Sequence, residues 1–219
     1  MRVLALDTTT RNGSGALLAD EDVRAEVRRV AESHSGWVVA AIPDLLREAG
    51  WRLADVDAFA VAAGPGSFTG LRVGIATVQG LALAARRPCL GVTTLDALGW
   101  LGRGHADTVV ALVDAYREEV FHGRYDREGR PRGESRVGKL DRALEGLSGP
   151  VAFVGDGVLR YEAEIRRLCP EVLLPKIEPF LAVAVGRLAL PRLRAGDGIA
   201  PGALRPVYLR EADIRKPTS

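Results

Sequence analysis

Two apolar runs that each end in aspartate constrain this chain most: Arg2–Asp7 (RVLALD) and Val109–Asp114 (VVALVD). Each opens the same order of elements. After Asp7, Thr8–Gly13 turns the chain, Ser14–Ala19 reads as a strand, and Val23–Val30 alternates apolar and polar residues. Trp37, Val38, Ala41, Ile42, Leu45, Leu46 and Ala49 recur at helical spacing, with Pro43 predicting a kink or a helix that starts near it. Ala58–Ala63 (AFAVAA) is apolar throughout, as a strand buried on both faces must be. Gly64–Gly70 (GPGSFTG) leads into a helix over Thr69–Ala85, then a strand at Pro88–Val92 and a helix at Thr94–Leu101. The second half repeats this with strands at Val109–Asp114, Glu119–Tyr125, Arg132–Val137 and Val151–Val154, and helices at Leu140–Leu147 and Leu159–Leu168. A further helix spans Pro179–Leu193, and a coil tail begins at Gly196. The shared order predicts a duplicated βββαβα α/β fold, with halves at 1–104 and 105–219.

Composition removes several functions. With 30 Lys+Arg against 28 Asp+Glu, the net charge of +2 cannot coat a phosphate backbone, and 5% aromatics argue against a stacking platform for single strands. Cys89 and Cys169 lack CxxC spacing, so neither a disulfide framework nor a zinc site is predicted, and a reducing compartment, the cytoplasm, is expected. The start MRVLALDTTT has no signal-peptide pattern. The longest apolar stretches fall short of about 18 residues, so no membrane span is expected.

Searches for chemistry return little. His34, His105 and His122 have no HxxH or HExxH partner, so no metal is predicted. Ser67 in GSFTG is not a GxSxG elbow, and Gly64–Gly70 is neither a Walker loop nor GxGxxG. Asp7-Thr8-Thr9-Thr10 has the carboxylate and hydroxyls for a Mg²⁺–phosphate turn, but a structural Asx/ST turn explains them better, since β-branched Thr9 and Thr10 stand where glycine lets backbone approach phosphate. Asp114 and Asp156 face Asp7 across a cleft in such a fold, yet Asp114-Ala115-Tyr116-Arg117 lacks the glycines and hydroxyls of a phosphate turn. Gly70, Gly74 and Gly80 each cost roughly 1 kcal/mol inside a helix, which close packing against a sheet or against another helix justifies equally well.

The duplicated unit with an aspartate after each first strand resembles the actin, sugar-kinase and chaperone-ATPase superfamily. GPGSFTGLRVGIATVQGLAL, together with RVLALDTTT, PCLGVTTL and the tail PVYLREADI, resembles the bacterial TsaB family over nearly the whole chain. That resemblance implies a non-catalytic partner in making threonylcarbamoyladenosine on tRNA. It would pair with the catalytic subunit TsaD and the ATPase TsaE and meet tRNA through the complex. TsaD carries a metal-binding HxxxH; in the matching stretch Gly91–Leu98 (GVTTLDAL), Thr94 and Leu98 stand at those places and cannot replace imidazole. No cofactor is therefore expected. The alternatives are an ATP-dependent kinase or ATPase of the same fold using Asp7 and Asp114, and a glycoprotease-like peptidase.

The same resemblance points to the helix after the glycine turn as the partner surface. Phe68, Leu71, Arg72, Ile75 and Gln79 are spaced three to four apart, which predicts a shared face that binds TsaD, or a second copy of the chain when TsaD is absent. The alternative is that these side chains point into the domain's own sheet.

Overall fold

A six-residue strand buried at five of its six positions belongs in the middle of a sheet, and β1 (Arg2–Asp7) lies there. In the computed structural model, which describes residues 1–210, β1 pairs antiparallel with β2 (Asn12–Ala19) and parallel with β4 (Ala58–Ala62). β3 (Asp22–Val30) and β5 (Cys89–Val92) complete the order β3-β2-β1-β4-β5. The second sheet is built from β6 (Thr108–Asp114), β7 (Val120–Asp126), β8 (Arg136–Gly138), β9 (Val151–Val154) and β10 (Val172–Leu173). Its order, β10-β9-β6-β7-β8, is the first sheet's topology read in the opposite direction. The expected duplication is present.

The helices are α1 (Val38–Glu48), α2 (Phe68–Ala85), α3 (Thr94–Gly102), α4 (Leu140–Leu144), α5 (Asp156–Leu168) and α6 (Ala182–Arg194). Pro43 sits inside α1 without ending it, on the exposed side. Two differences from the sequence reading have physical causes. β8 keeps only three residues, because Arg132–Ser135 goes to a bend in which Arg132 N–H bonds Arg124 C=O at 2.7 Å. α5 starts at Asp156 because Gly155, at φ 112°, turns the chain directly out of β9.

α6 lies in the second half of the sequence but packs on β1, β2, β4 and β5 of the first sheet. Gly186 makes this possible: a Cβ there would meet Leu18 at 2.5 Å. α3 touches α6 on one side and β6, β7 and β9 on the other. One apolar core therefore runs from Val3 and Ala60 through Leu95, Leu98 and Leu190 to Val109 and Val154. Burying each large member contributes about 1.5–3 kcal/mol. The chain then returns along α2. Ile199 bridges Cys89, Leu204 is buried, Gln79 donates to the C=O groups of Pro201 and Leu204, and Val207 N–H bonds Ala63 C=O at 2.7 Å. The tail residues 211–214, EADI, lie outside the described residues.

By length and composition, α2 is the one helix among the described residues that reaches the threshold for a membrane span, which corrects the expectation that no apolar segment is long enough. Its apolar bulk has another use: Leu71, Ile75, Val78 and Ala82 are buried against the protein's own core.

Candidate functional site

The cleft between the halves is where a nucleotide would lie in a duplicated fold of this kind. Here the turn after β1 is filled by the turn before α2. Thr8 Oγ1 donates to Gly70 C=O at 2.7 Å, and Ser67 N–H bonds Thr9 C=O at 2.7 Å. The approach is so close that a Cβ on Gly70 would stand 1.9 Å from the Thr8 carbonyl oxygen, and one on Gly66 2.4 Å from that of Thr9. Gly74 meets Thr8 Oγ1 in the same way, at 2.4 Å. These glycines serve docking of the threonine turn, and the N–H groups of Ser67, Thr9 and Gly70 are used within the junction itself. Thr9 N–H bonds Asp7 Oδ1 at 2.9 Å, and Gly70 N–H bonds the Ser67 hydroxyl at 3.3 Å.

Asp7 is fully buried, as is Thr8, with Thr9 and Thr10 nearly so. Thr9 Oγ1 also donates to Asp7 Oδ1, at 2.7 Å, while Asp7 Oδ2 has no hydrogen-bond partner. Burial pushes the Asp7 carboxyl up to about 6, against the two Thr9 bonds that lower it; the Asp156 charge adds to the rise. Asp156 is pushed up to about 6 as well, first by burial, and it accepts the Asp114 backbone N–H at 3.2 Å. Asp114 is half-buried and paired with Arg160 at 3.0 Å. A cavity of about 300 Å³ remains between the halves, with Thr10, Arg11, Ser67, Asp114, Tyr116 and Asp156 in its wall. The structure thus brings the predicted Asp7, Thr8, Thr9, Thr10 and Asp114 to one cleft, but Asp7 is sealed behind the threonines.

The histidines are held by the fold. His34 Nε2 donates to Thr10 C=O at 2.6 Å and Nδ1 accepts from Trp37 Nε1 at 2.8 Å, so both ring nitrogens are engaged. His122 is buried and its pKa is lowered, first by burial and then by Arg124 and Arg136. Thr94 and Leu98 are buried on α3, and no group of three His, Cys, Asp or Glu side chains converges among the described residues.

α2 divides the predicted partner face. Phe68 is 50% exposed, and Arg72 is exposed with its guanidinium 3.8 Å from the Phe68 ring centre. Leu71 and Ile75 are 2% and 6% exposed: they fill the protein's own core, and the single face Phe68-Leu71-Arg72-Ile75-Gln79 does not exist as a surface. Gln79 holds the returning tail. The physical reason is volume, since the buried strands need large side chains above them and Leu71, Ile75 and Val78 supply them. The exposed stripe runs instead through Phe68, Arg72, Ala76, Gly80 and Leu83, the last 71% exposed. Stepping by four from Phe68 finds Arg72, Ala76 and Gly80, and a final step of three reaches Leu83. Tyr208, in the PVYLREADI tail, is tilted against Phe68 at 6.1 Å and extends this stripe, a contact that the tail motif by itself did not indicate.

A duplicated βββαβα pair around an interlobe cleft defines the actin-like ATPase fold, and comparison with known proteins agrees. The activator of 2-hydroxyisocaproyl-CoA dehydratase from Clostridium difficile, solved with bound ADPNP, shares the fold at TM-score 0.55 and 13% identity, over 90% of this chain and 97% of that one. The family described as "TsaD: tRNA N6-adenosine threonylcarbamoyltransferase" matches residues 28–156. YeaZ from Pseudomonas aeruginosa superposes at TM-score 0.82 with 32% identity, over 95% of this chain and 99% of that one. The tRNA threonylcarbamoyladenosine biosynthesis protein TsaB of Escherichia coli is 36% identical over 96% of this chain and 95% of its own length. The chain belongs to the TsaB family of tRNA threonylcarbamoyladenosine biosynthesis.

Proposed function

We propose that this chain is a non-catalytic subunit of the tRNA-modifying machinery. It docks through the exposed stripe of α2 onto a TsaD-type catalytic subunit, works in the cytoplasm beside a TsaE-type ATPase, reaches tRNA through that assembly, and needs no cofactor of its own. When the partner is absent, the same stripe meets a second copy. The observation that carries this reading is the closed turn: Thr8 and Thr9 are bonded to Gly70 and Ser67, and Asp7 is buried behind them. A turn whose carboxylate is buried and whose Ser67, Thr9 and Gly70 N–H groups are bonded within the protein is a poor cradle for a metal-bound phosphate, and function is argued from that site rather than from the fold.

The test is reconstitution. tRNA lacking the modification is incubated with threonylcarbamoyl-adenylate as donor, ATP, and the TsaD-type and TsaE-type subunits, with and without this chain. Modification is expected only with it, and none from this chain alone. Mg²⁺-dependent ATP turnover by the isolated chain, lost in Asp7→Asn, would instead establish the ATPase reading. Stoichiometric zinc or iron with chelator-sensitive hydrolysis would establish the peptidase.

A further inference from the structure

The exposed stripe of α2 carries cations at both ends and no carboxylate. The helix, FTGLRVGIATVQGLALAA, contains no acidic residue. Arg72 lies over Phe68 near its start; Arg86, its left-handed C-cap, and Arg87 follow its last turn. All three are exposed, and among the described residues none of them is paired with a carboxylate. Between them lie Ala76, Gly80, whose Cβ direction meets nothing within 4 Å, and Leu83. Fourteen residues separate Arg72 from Arg86, so the two cationic ends stand about 21 Å apart along the axis. That exceeds a Debye length of about 8–10 Å, and each end needs its own counter-charge.

We infer that this charge pattern selects a partner helix bearing carboxylates at both ends and opposes pairing with a second copy; the inference rests on the docking reading above. A two-fold axis allows two arrangements. With the helices antiparallel and crossing near Ala76–Gly80, Arg72 of one copy meets Arg86 and Arg87 of the other. With the helices parallel, each cation meets its own equivalent. Either way like charges face each other where the apolar contact is made, and only a different chain with acidic ends satisfies both. Self-association is therefore the weak state of this surface, strengthened by salt. The assembly with the acidic partner is the tight state, weakened by salt.

The triple variant R72E/R86E/R87E supplies such an acidic partner within the same fold. All three positions are exposed, so the variant is expected to fold as the wild type does, checked by circular dichroism. Association is measured by analytical ultracentrifugation at 50 and 500 mM NaCl for wild type, variant and their equimolar mixture. The mixed pair is expected to be at least about tenfold tighter than either self-pair at low salt, with the gap closing at high salt. A wild-type self-pair as tight as the mixed pair overturns the inference. Leu83→Asp in both chains separates the two readings. If it leaves the mixed pair intact, α2 is not the docking face and both fall. If it abolishes all association while the charge reversals change nothing, docking through α2 stands and charge selection falls.

Discussion

Asp7 is an ionisable group held where ionisation is costly. Burial places its native pKa at about 6, against 3.8 for an ordinary aspartate, so the native state holds the proton more tightly than the unfolded state does. Stability from this group is fully present below pH 4 and falls as the pH rises through 6. Two pH units at about 1.4 kcal/mol each give a loss on the order of 3 kcal/mol. Asp156 has the same sign and acts in the same window. Asp7→Asn keeps the oxygen that accepts from Thr9 and removes the charge. It is expected to melt at or above the wild-type temperature at pH 8, with a flatter dependence between pH 4 and 6, read by calorimetry across that range. A variant less stable than wild type at pH 8 would show that the charge itself is used. Gly70→Ala tests the turn beside it. Its methyl would lie 1.9 Å from the Thr8 carbonyl oxygen, and moving backbone costs about 3 kcal/mol or more, against about 1 kcal/mol gained in helix propensity. Net destabilisation of about 2 kcal/mol is expected from urea unfolding, and a stabilised variant would refute the docked turn.

At the scale of elements, α2 separates two kinds of substitution by face. Ile75→Glu puts a carboxylate into the core beside Val61 and Val78 and is expected to unfold the chain, whereas Leu83→Glu is expected to leave the midpoint within about 0.5 kcal/mol of wild type. Gly80→Ala, with open space around it, should stabilise by about 1 kcal/mol. Denaturant melts of the three variants check the order; Ile75→Glu folding normally would return the large residues to the partner face. This helix also marks where the sequence stops being informative. Buried strands such as Ala58–Ala62 are continuous apolar runs, and so their existence and order were readable. In α2, glycine and alanine fill both faces, the apolar periodicity is flat, and its phase is decided by what the sheet beneath requires. β10 has two residues and leaves no pattern at all. The place of α6 is not written in its own periodicity either, because an amphipathic helix fits whichever sheet offers a matching surface. In the cleft, the Asp7–Thr10 turn and the Gly64–Gly70 turn were each recognisable, but not that the two form one unit. The close approach of Gly70 to Thr8, which decides what the unit does, joins residues 62 positions apart and exists only in three dimensions.

For the whole molecule, the arrangement of α3 and α6 sets how the halves respond to stress. Two sheets with separate cores would unfold separately, but here α3 belongs to both. Gly99 on α3 faces the Tyr125 ring of β7, where a Cβ would stand 2.4 Å away, and Tyr125 donates to Asp96 at 3.0 Å. Gly102 meets Val109 and Val154 of the second sheet in the same manner, and α6 closes the first sheet over the same core. Arg210 reaches from the returning tail, which is bonded to Ala63 in the first half, to Ala115 C=O and the Glu119 carboxylate in the second. Loosening either sheet therefore exposes apolar surface that both share, and cooperativity follows from that shared burial. The expected outcome is a single transition in which β2 and β9 lose amide protection at the same denaturant concentration. Gly99→Ala, by forcing α3 away from Tyr125, should lower the protection of both sheets by equal free energies rather than that of β7 and its neighbours alone. Native-state hydrogen exchange resolves this directly, since β2 and β9 belong to different sheets in different halves of the chain. If β9 exchanges through an opening that leaves β2 protected, the halves are independent units and α3 is a lid on one of them, not a wall common to both.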